Sequence, residues 1–180
     1  MAPFPPLTVS LPEMLEGQTD HRFRKAIYRF IEAANRMGDC RESFADEMEL
    51  TGTQFLVMMS VAYQQGEAGI KIASIAADIG LASTHATTEV GRLVRKGLLD
   101  KRPDPDDGRA VLVKLTRRGE GEVEKVSHII RVVNDILFQD ISRSELKIFT
   151  SLSERLIQNS ERALAELRVH QHAKLVEAGI

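Results

Sequence analysis

A mainly α (α+β) fold is predicted by three observations. Residues 70–96 run from a β-prone triplet, Ile70-Lys-Ile72, through two helical patterns separated by a turn at Gly80. Two further β-prone runs, Leu98–Arg102 and Ala110–Leu115, flank Pro103-Asp-Pro-Asp-Asp-Gly108, where Pro fixes φ and Asp and Gly favour a tight hairpin tip. Before and after this stretch, apolar residues recur at spacings of three and four over long distances, as on one face of a helix. The order is that of a winged helix-turn-helix, with long N- and C-terminal helices forming a dimerisation domain.

The first segment, residues 1–18, reads as an arm. Three of the six prolines fall before Ser10, and Ser10-Leu-Pro-Glu13 has the form of a capping box opening a short helix that Gly17 stops. Phe23, Ile27, Phe30, Ala34, Met37, Phe44 and Met48 then predict one long helix over 20–48, with a kink near Gly38. Thr51-Gly-Thr-Gln54 is a second capping box, and the run Phe55–Tyr63 is apolar nearly all round, which predicts a buried helix ending at Gln65-Gly66.

Within the central stretch the spacing predicts a strand at 70–72, a helix over 74–79 and a turn at Leu81-Ala82. Ser83 is the expected N-cap of the next helix, 84–96, which Gly97 closes. In the last wing strand Val111, Val113 and Leu115 fall on one face. Thr116 caps a helix striped by Val123, Val126, Ile130, Val133 and Leu137, and Ser142-Arg-Ser-Glu145 is a third capping box opening a final helix to about Leu167. At 1.5 Å per residue these two helices span about 35 Å each, more than a small winged core covers, so their stripes call for a second subunit. The expected division is an arm over 1–18, a helical dimerisation domain from 19–50 and 117–170, a winged domain over 51–116, and a tail over 171–180.

The formal charge of the chain is only −2. Its distribution is more informative, because Arg92–Arg118 holds nine Lys/Arg against four Asp, a local +5 that suits a polyanion. The single cysteine, Cys40, excludes an intrachain disulfide and fits a reducing compartment. With no apolar run near the roughly 20 residues of a membrane helix, and no basic segment followed by an apolar core at the start, a cytoplasmic location without membrane contact is expected. There is no phosphate-binding Gly-rich loop, HExxH, nucleophile elbow or paired-Cys motif, so neither an enzyme nor a cofactor is expected. The five histidines, His21, His85, His128, His170 and His172, form no helical i, i+4 metal pair, so no metal is expected either.

At about 100° per residue, helix 84–96 sorts into two faces. Ala86, Val90 and Leu93 fall together with Gly97 and should pack on the core. Thr84, Thr87, Thr88, Gly91 and Arg95 fall opposite, with His85 and Arg92 at the edge, and the N-cap residue Ser83 is a further candidate DNA contact. Threonine hydroxyls can donate or accept at base edges and phosphates, threonine methyls can touch thymine, and arginine pairs bidentately with guanine. In the wing, Arg102 and Arg109 supply cations, and Asp107 can hold Arg109 by a charge-assisted bond that aims it at a narrow minor groove. Double-stranded DNA is therefore the expected partner. A winged module serving only protein interaction is the alternative, and the local positive charge argues against it.

The residues Ile75-Ala-Ala-Asp-Ile-Gly-Leu81, Leu93-Val-Arg-Lys-Gly-Leu-Leu99, Arg102–Thr116 and Gly119 resemble the MarR family of bacterial transcriptional regulators. The most specific part is the wing pattern of Asp107, Arg109 and an apolar strand ending in Leu115-Thr116. The resemblance covers about residues 20–167. It implies a homodimer on a pseudo-palindromic operator, recognition helices in successive major grooves and wings in the flanking minor grooves. It also implies a repressor released by a small-molecule effector bound between the two domains, where Met58, Met59 and Tyr63 are expected, with Arg22, Arg24 and Arg29 nearby to pair with an anionic, aromatic ligand. Two positions depart from the family pattern, Gly108 inside the wing motif and Glu89 at a usually apolar helix position. Some regulators of this type sense oxidants through a thiol, but nothing flanking Cys40 marks it as activated, and an inert thiol is favoured.

Overall fold

The structure is a computed structural model that describes residues 4–107 and 110–177. The chain falls into two compact units, 1–133 and 134–180. The first holds a single 3-10 turn at Pro12–Met14, then α1 (His21–Glu47), α2 (Gly52–Gln64), β1 (Ile70–Lys71), α3 (Ile72–Asp78), α4 (Ser83–Arg95), β2 (Leu99–Pro103), β3 (Val111–Leu115) and most of α5 (Arg117–Leu137). The second holds the end of α5 and α6 (Arg143–Glu177).

The expected capping box at Ser10 does not form. Leu11 is the N-cap of a three-residue turn and makes no side-chain bond there. The arm is anchored instead by Asp20, which is fully buried and accepts 2.7 Å hydrogen bonds from both the amide and the hydroxyl of Thr8. Arg24 pairs with its other oxygen at 2.8 Å. These contacts, the Thr8 amide first among them, hold the Asp20 carboxyl below its ordinary range.

From Asp20, α1 runs as one continuous helix through Gly38. Only its last turns reach the core. Phe44 and Ala45 are buried and Phe44 meets Phe55 with ring centroids 6.0 Å apart, whereas Ile27, Phe30 and Met37 of the same stripe are 38–45% exposed. The next helix, α2, is the centre of the unit. Val57, Met58 and Val61 have no exposed surface and touch a core that includes Ile75, Val90, Leu93, Leu99 and Val113. Its all-round apolarity follows from being covered on every side.

The helix-turn-helix differs from expectation at both starts. The strand yields one residue early and α3 begins at Ile72, two residues before Ser74. At α4 the N-cap is Ala82, in an extended conformation with its carbonyl accepting from the Ala86 amide at 3.0 Å, while Ser83 is already helical and makes no cap bond. Gly80 stops α3 at φ +68°, a left-handed value that glycine adopts without steric cost.

The sheet is antiparallel in the order β1-β3-β2, with Leu99 opposite Leu115 and Ile70 opposite Val113. The predicted alternation in β3 holds for Val113 and Leu115, but Val111, next to the wing tip, is 37% exposed and Leu112 is buried. Thr116 joins the sheet to α5 as expected: its hydroxyl donates to Gly97 O at 2.7 Å and accepts from the Gly119 amide at 3.0 Å. In the second unit the Ser142–Glu145 capping box forms, with Ser142 N donating to Glu145 at 2.9 Å and Glu145 N to Ser142 Oγ at 3.2 Å. With neither Gly nor Pro to stop it, α6 continues past Leu167 to Glu177, through most of the stretch expected as a tail.

At the first turn of α5, Gly119 packs against the Leu98 carbonyl so closely that any β-carbon would overlap that oxygen. Gly119→Ala should therefore lower the unfolding free energy by about 2 kcal/mol, the usual scale for overpacking, read as a shifted urea midpoint at constant slope. An unchanged midpoint would mean that the Leu98 backbone yields.

Candidate nucleic-acid interface

One face of α4 is sealed: Ala86, Val90 and Leu93 have no exposed surface. The opposite side carries Ser83, Thr84, His85, Thr87, Thr88, Arg92 and Arg95, all exposed. All seven predicted α4 contacts thus lie on one continuous surface. Their chemistry is narrower than the sequence suggests. The Thr87 hydroxyl donates to Ser83 O at 2.8 Å and the Thr88 hydroxyl to Thr84 O at 3.0 Å, so in this state both offer acceptor lone pairs and methyls outward, not protons.

Behind this face stands a feature that pattern reading missed. Glu89 is 2% exposed and accepts from Gln54 of α2 at 3.1 Å and from Arg92 at 2.6 Å, with His85 Nε2 at 3.5 Å. Gln54 was expected to complete its own capping box. Thr51 does cap the Gln54 amide at 3.2 Å, but the Gln54 side chain goes to Glu89 instead. The one available signal was a carboxylate at a helix position that is usually apolar in the family the sequence resembles.

The wing is organised by a second acid. Asp104 is buried to 7% exposure, accepts from the Asp106 amide at 3.0 Å and pairs with Lys71 at 3.1 Å. Its backbone amide donates to Ala110 O at 3.0 Å, closing the hairpin. Asp107 lies 3.5 Å from the same Lys71 ammonium. Arg109, the expected partner of Asp107, lies outside the described residues, as does Gly108. Arg102 on β2 donates to Ala68 O at 2.6 Å, Lys114 to Glu67 O at 3.0 Å, Lys96 to Glu49 O at 2.6 Å and Arg118 to Lys96 O at 3.0 Å. Because these partners are neutral carbonyls, the four cations are oriented yet keep their full charge for a polyanion.

The residues expected around an effector are not brought together. Met58 and Met59 are core residues of α2, 0% and 7% exposed, because that helix is covered on all sides, while Tyr63 at its end is 74% exposed. Arg22 pairs with Glu16 at 2.8 Å. Arg29 pairs with Glu32 at 2.7 Å and borders an open hollow of about 730 Å³ that it shares with Arg24, Lys25 and Tyr28. Cys40 is half-buried against the core. Among the described residues, no three His, Cys, Asp or Glu stand close enough together to hold a metal ion, and no helix is long and apolar enough to cross a membrane.

A helix-turn-helix with a two-stranded wing, one polar helix face outward and uncompensated cations around it, defines a DNA-binding protein of the winged-helix class. The model of the MarR family matches residues 50–111. The chain is similar to YhbI of Bacillus subtilis strain 168, an uncharacterized HTH-type transcriptional regulator, with 26% identity over 120 residues that make up 67% of this chain and 76% of that one. Among solved structures it is similar to the PcaV transcriptional regulator of Streptomyces coelicolor in complex with its natural ligand, with 27% identity, TM-score 0.55 and coverage of 71% of this chain and 90% of that one. It shares its fold with a mutant of Escherichia coli MarR complexed with operator DNA, with 23% identity, TM-score 0.58 and coverage of 73% and 93%. Residues 50–111 thus match the MarR family model, and the relatives of the chain lie among HTH-type transcriptional regulators. The proteins it resembles are transcriptional regulators.

The wing makes its own pH prediction. The Asp106 amide, then Lys71, holds the Asp104 carboxyl below its ordinary range, and Asp104 in turn raises the Lys71 ammonium above its own. A depressed carboxyl stabilises above the unfolded value, about 3.9, and loses that contribution as pH falls through the folded value; a raised ammonium loses its contribution only above about 10.4. The hairpin should therefore keep constant stability from about pH 5 to 9 and loosen in acid. Amide resonances of Asp106 and Ala110 should report this, and Asp104→Asn should show the loosened state already at pH 7.

Proposed function

We propose that the protein is a homodimeric repressor that reads a pseudo-palindromic operator with α4 and is released by a small anionic, aromatic effector. The observation that carries the DNA half is the sorting of α4: a fully buried face opposite seven exposed polar residues, Ser83, Thr84, His85, Thr87, Thr88, Arg92 and Arg95. A helix so held enters a major groove with its polar side toward base edges, and two copies need a separation of about 34 Å to meet successive grooves. Arg102, and Arg109 by its place in the wing sequence with Asp107, supply the flanking minor-groove contacts.

Dimerisation is supported by apolar surface without cover. On α1, Ile27, Phe30, Ile31 and Met37 are 38–46% exposed, and on α6 Leu146, Phe149, Leu152 and Leu156 are 43–49% exposed. Stripes of this length are the usual mark of an interface. A second copy is the simplest cover, because a two-fold operator asks for a two-fold protein.

The effector reading is supported by the hollow beside α1, where Arg24, Lys25 and Arg29 surround Tyr28, a setting for a carboxylate and a ring. It is also supported by the natural ligand present in the PcaV complex. Release would be a population shift: a ligand that prefers one spacing of the two α4 helices moves the equilibrium only by its differential affinity.

The test is selection of duplexes from a random pool, followed by binding across a salt series. Wild-type protein should select a two-fold sequence and lose about three orders of magnitude in affinity between 50 and 200 mM salt. Arg109→Ala should weaken binding roughly tenfold with the dimer intact by light scattering. Unchanged binding removes the wing from the interface. Calorimetry with benzoates and pyridine carboxylates should find a ligand that also releases the selected duplex; no binding across that panel removes the effector.

A further inference from the structure

We infer that Glu89 is a positioning residue for DNA recognition: from inside the core it fixes the guanidinium of Arg92 and makes that side chain a reader of bases. The inference rests on α4 being the DNA-reading helix and adds a residue that itself touches no DNA. Glu89 is 2% exposed, yet its two oxygens are divided between the interior and the surface. One accepts from Gln54 Nε2 at 3.1 Å, and Gln54 is itself 6% exposed on α2. The other accepts from Arg92 NH1 at 2.6 Å, and the Arg92 side chain is 52% exposed.

A structural role alone explains this arrangement badly. Burying a carboxylate costs several kcal/mol of desolvation, and well-packed apolar residues in place of a buried ion pair are often neutral or stabilising. The pattern of α4 would accept an apolar side chain at 89, beside Val90 and Leu93. What the carboxylate provides is direction. An arginine on a helix surface samples many rotamers, whereas one nitrogen held at 2.6 Å by an acceptor that Gln54 itself anchors confines the fork. One N–H is used inward and four remain, enough for a bidentate pair with guanine. The ion pair also cancels most of the Arg92 charge, so Arg92 contributes little to indiscriminate phosphate attraction and mainly to discrimination. His85, with Nε2 3.5 Å from the same Glu89 oxygen, borders the same acceptor one turn earlier on α4.

The experiment is a double-mutant cycle between Glu89→Gln and Arg92→Ala. It uses the duplex that wild-type full-length protein selects from a random pool and a scrambled duplex of equal length and composition. The readout is the ratio of the two affinities. Glu89→Gln should lower the ratio roughly tenfold in the wild-type background and leave it unchanged in the Arg92→Ala background. Affinity for the scrambled duplex should not fall. Gln54→Met with Glu89→Met, close to volume-conserving, should match or exceed the wild-type thermal midpoint and still lose the ratio, so a folding defect in Glu89→Gln leaves the idea testable. Equal losses in both backgrounds would make Glu89 a structural residue and overturn the inference, as would a ratio that Glu89→Gln does not move. Failure of the DNA reading is a separate result: wild-type protein that selects no sequence and binds no duplex in a salt-dependent way overturns that reading and this inference with it.

Discussion

The burial of one face of α4 is the interaction on which the rest of the structure depends. Val90 and Leu93, both without exposed surface, are worth about 3–6 kcal/mol of transfer free energy together. That is enough to dictate the rotation of a thirteen-residue helix about its axis. Once the rotation is set, the identity of the outward residues is no longer free: Thr84, Thr87, Thr88 and Arg95 face solvent because Ala86, Val90 and Leu93 cannot. The core partner that makes this possible is α2, whose Val57, Met58 and Val61 are sealed in turn by α1, α3 and the sheet. The recognition surface is thus a by-product of packing two helices, and its precision is that of the core behind it.

Much of this was visible in sequence because periodicity and punctuation report local energetics. The stripes of α1, α2 and α5, the stop at Gly80, the caps at Thr51, Thr116 and Ser142 and the hairpin between β2 and β3 depend on neighbours a few residues away. What was not visible depends on partners far along the chain. The Gln54 side chain could accept from the Thr51 amide at its own helix start or donate to a carboxylate 35 residues on, and only the fold brings the second within 3.1 Å. Lys71 and Asp104, 3.1 Å apart, are separated by the whole helix-turn-helix. The wing pattern drew attention to Asp107, whereas the buried acid is Asp104, because burial of a turn residue is set by what lies beneath the turn. The start of α4 was misplaced by one residue because Ser83 is the better capping residue by type, yet the extended backbone belongs to Ala82. The length of α6 was underestimated because apolar spacing ends near Leu167, while a helix free of Gly and Pro continues on propensity alone.

Charge is arranged with the same economy. Lys96, Arg102, Lys114 and Arg118 donate to backbone carbonyls and keep their charge, whereas Arg92 is the α4 arginine held by a buried carboxylate. Cations that satisfy carbonyls also close gaps between elements: Lys96 reaches the end of α1 at Glu49, and Arg118 reaches the end of α4. The orienting contacts therefore double as tertiary links, and the positive surface that attracts a polyanion is held rigid at little electrostatic cost. Two acids near this surface are buried, Glu89 behind α4 and Asp104 beneath the wing tip, where they direct cations, whereas Asp106 and Asp107 are exposed in the wing.

The Lys71–Asp104 pair has a consequence for control. Lys71 ends β1 and immediately precedes α3, so an ion pair from it to the wing joins the hairpin to the first helix of the helix-turn-helix, while β3 pairs with β1 and shares the core of α4. Wing and α4 are therefore coupled through covalent neighbours, a sheet and a buried carboxylate. Tilting one against the other would break a charge-assisted contact and expose Val113 or Leu93, several kcal/mol by any apportioning. A ligand with an ordinary differential affinity of 1–3 kcal/mol does not reach that scale. If the proposed effector acts, it acts by moving whole winged units relative to one another and leaves the surface that reads DNA intact within each.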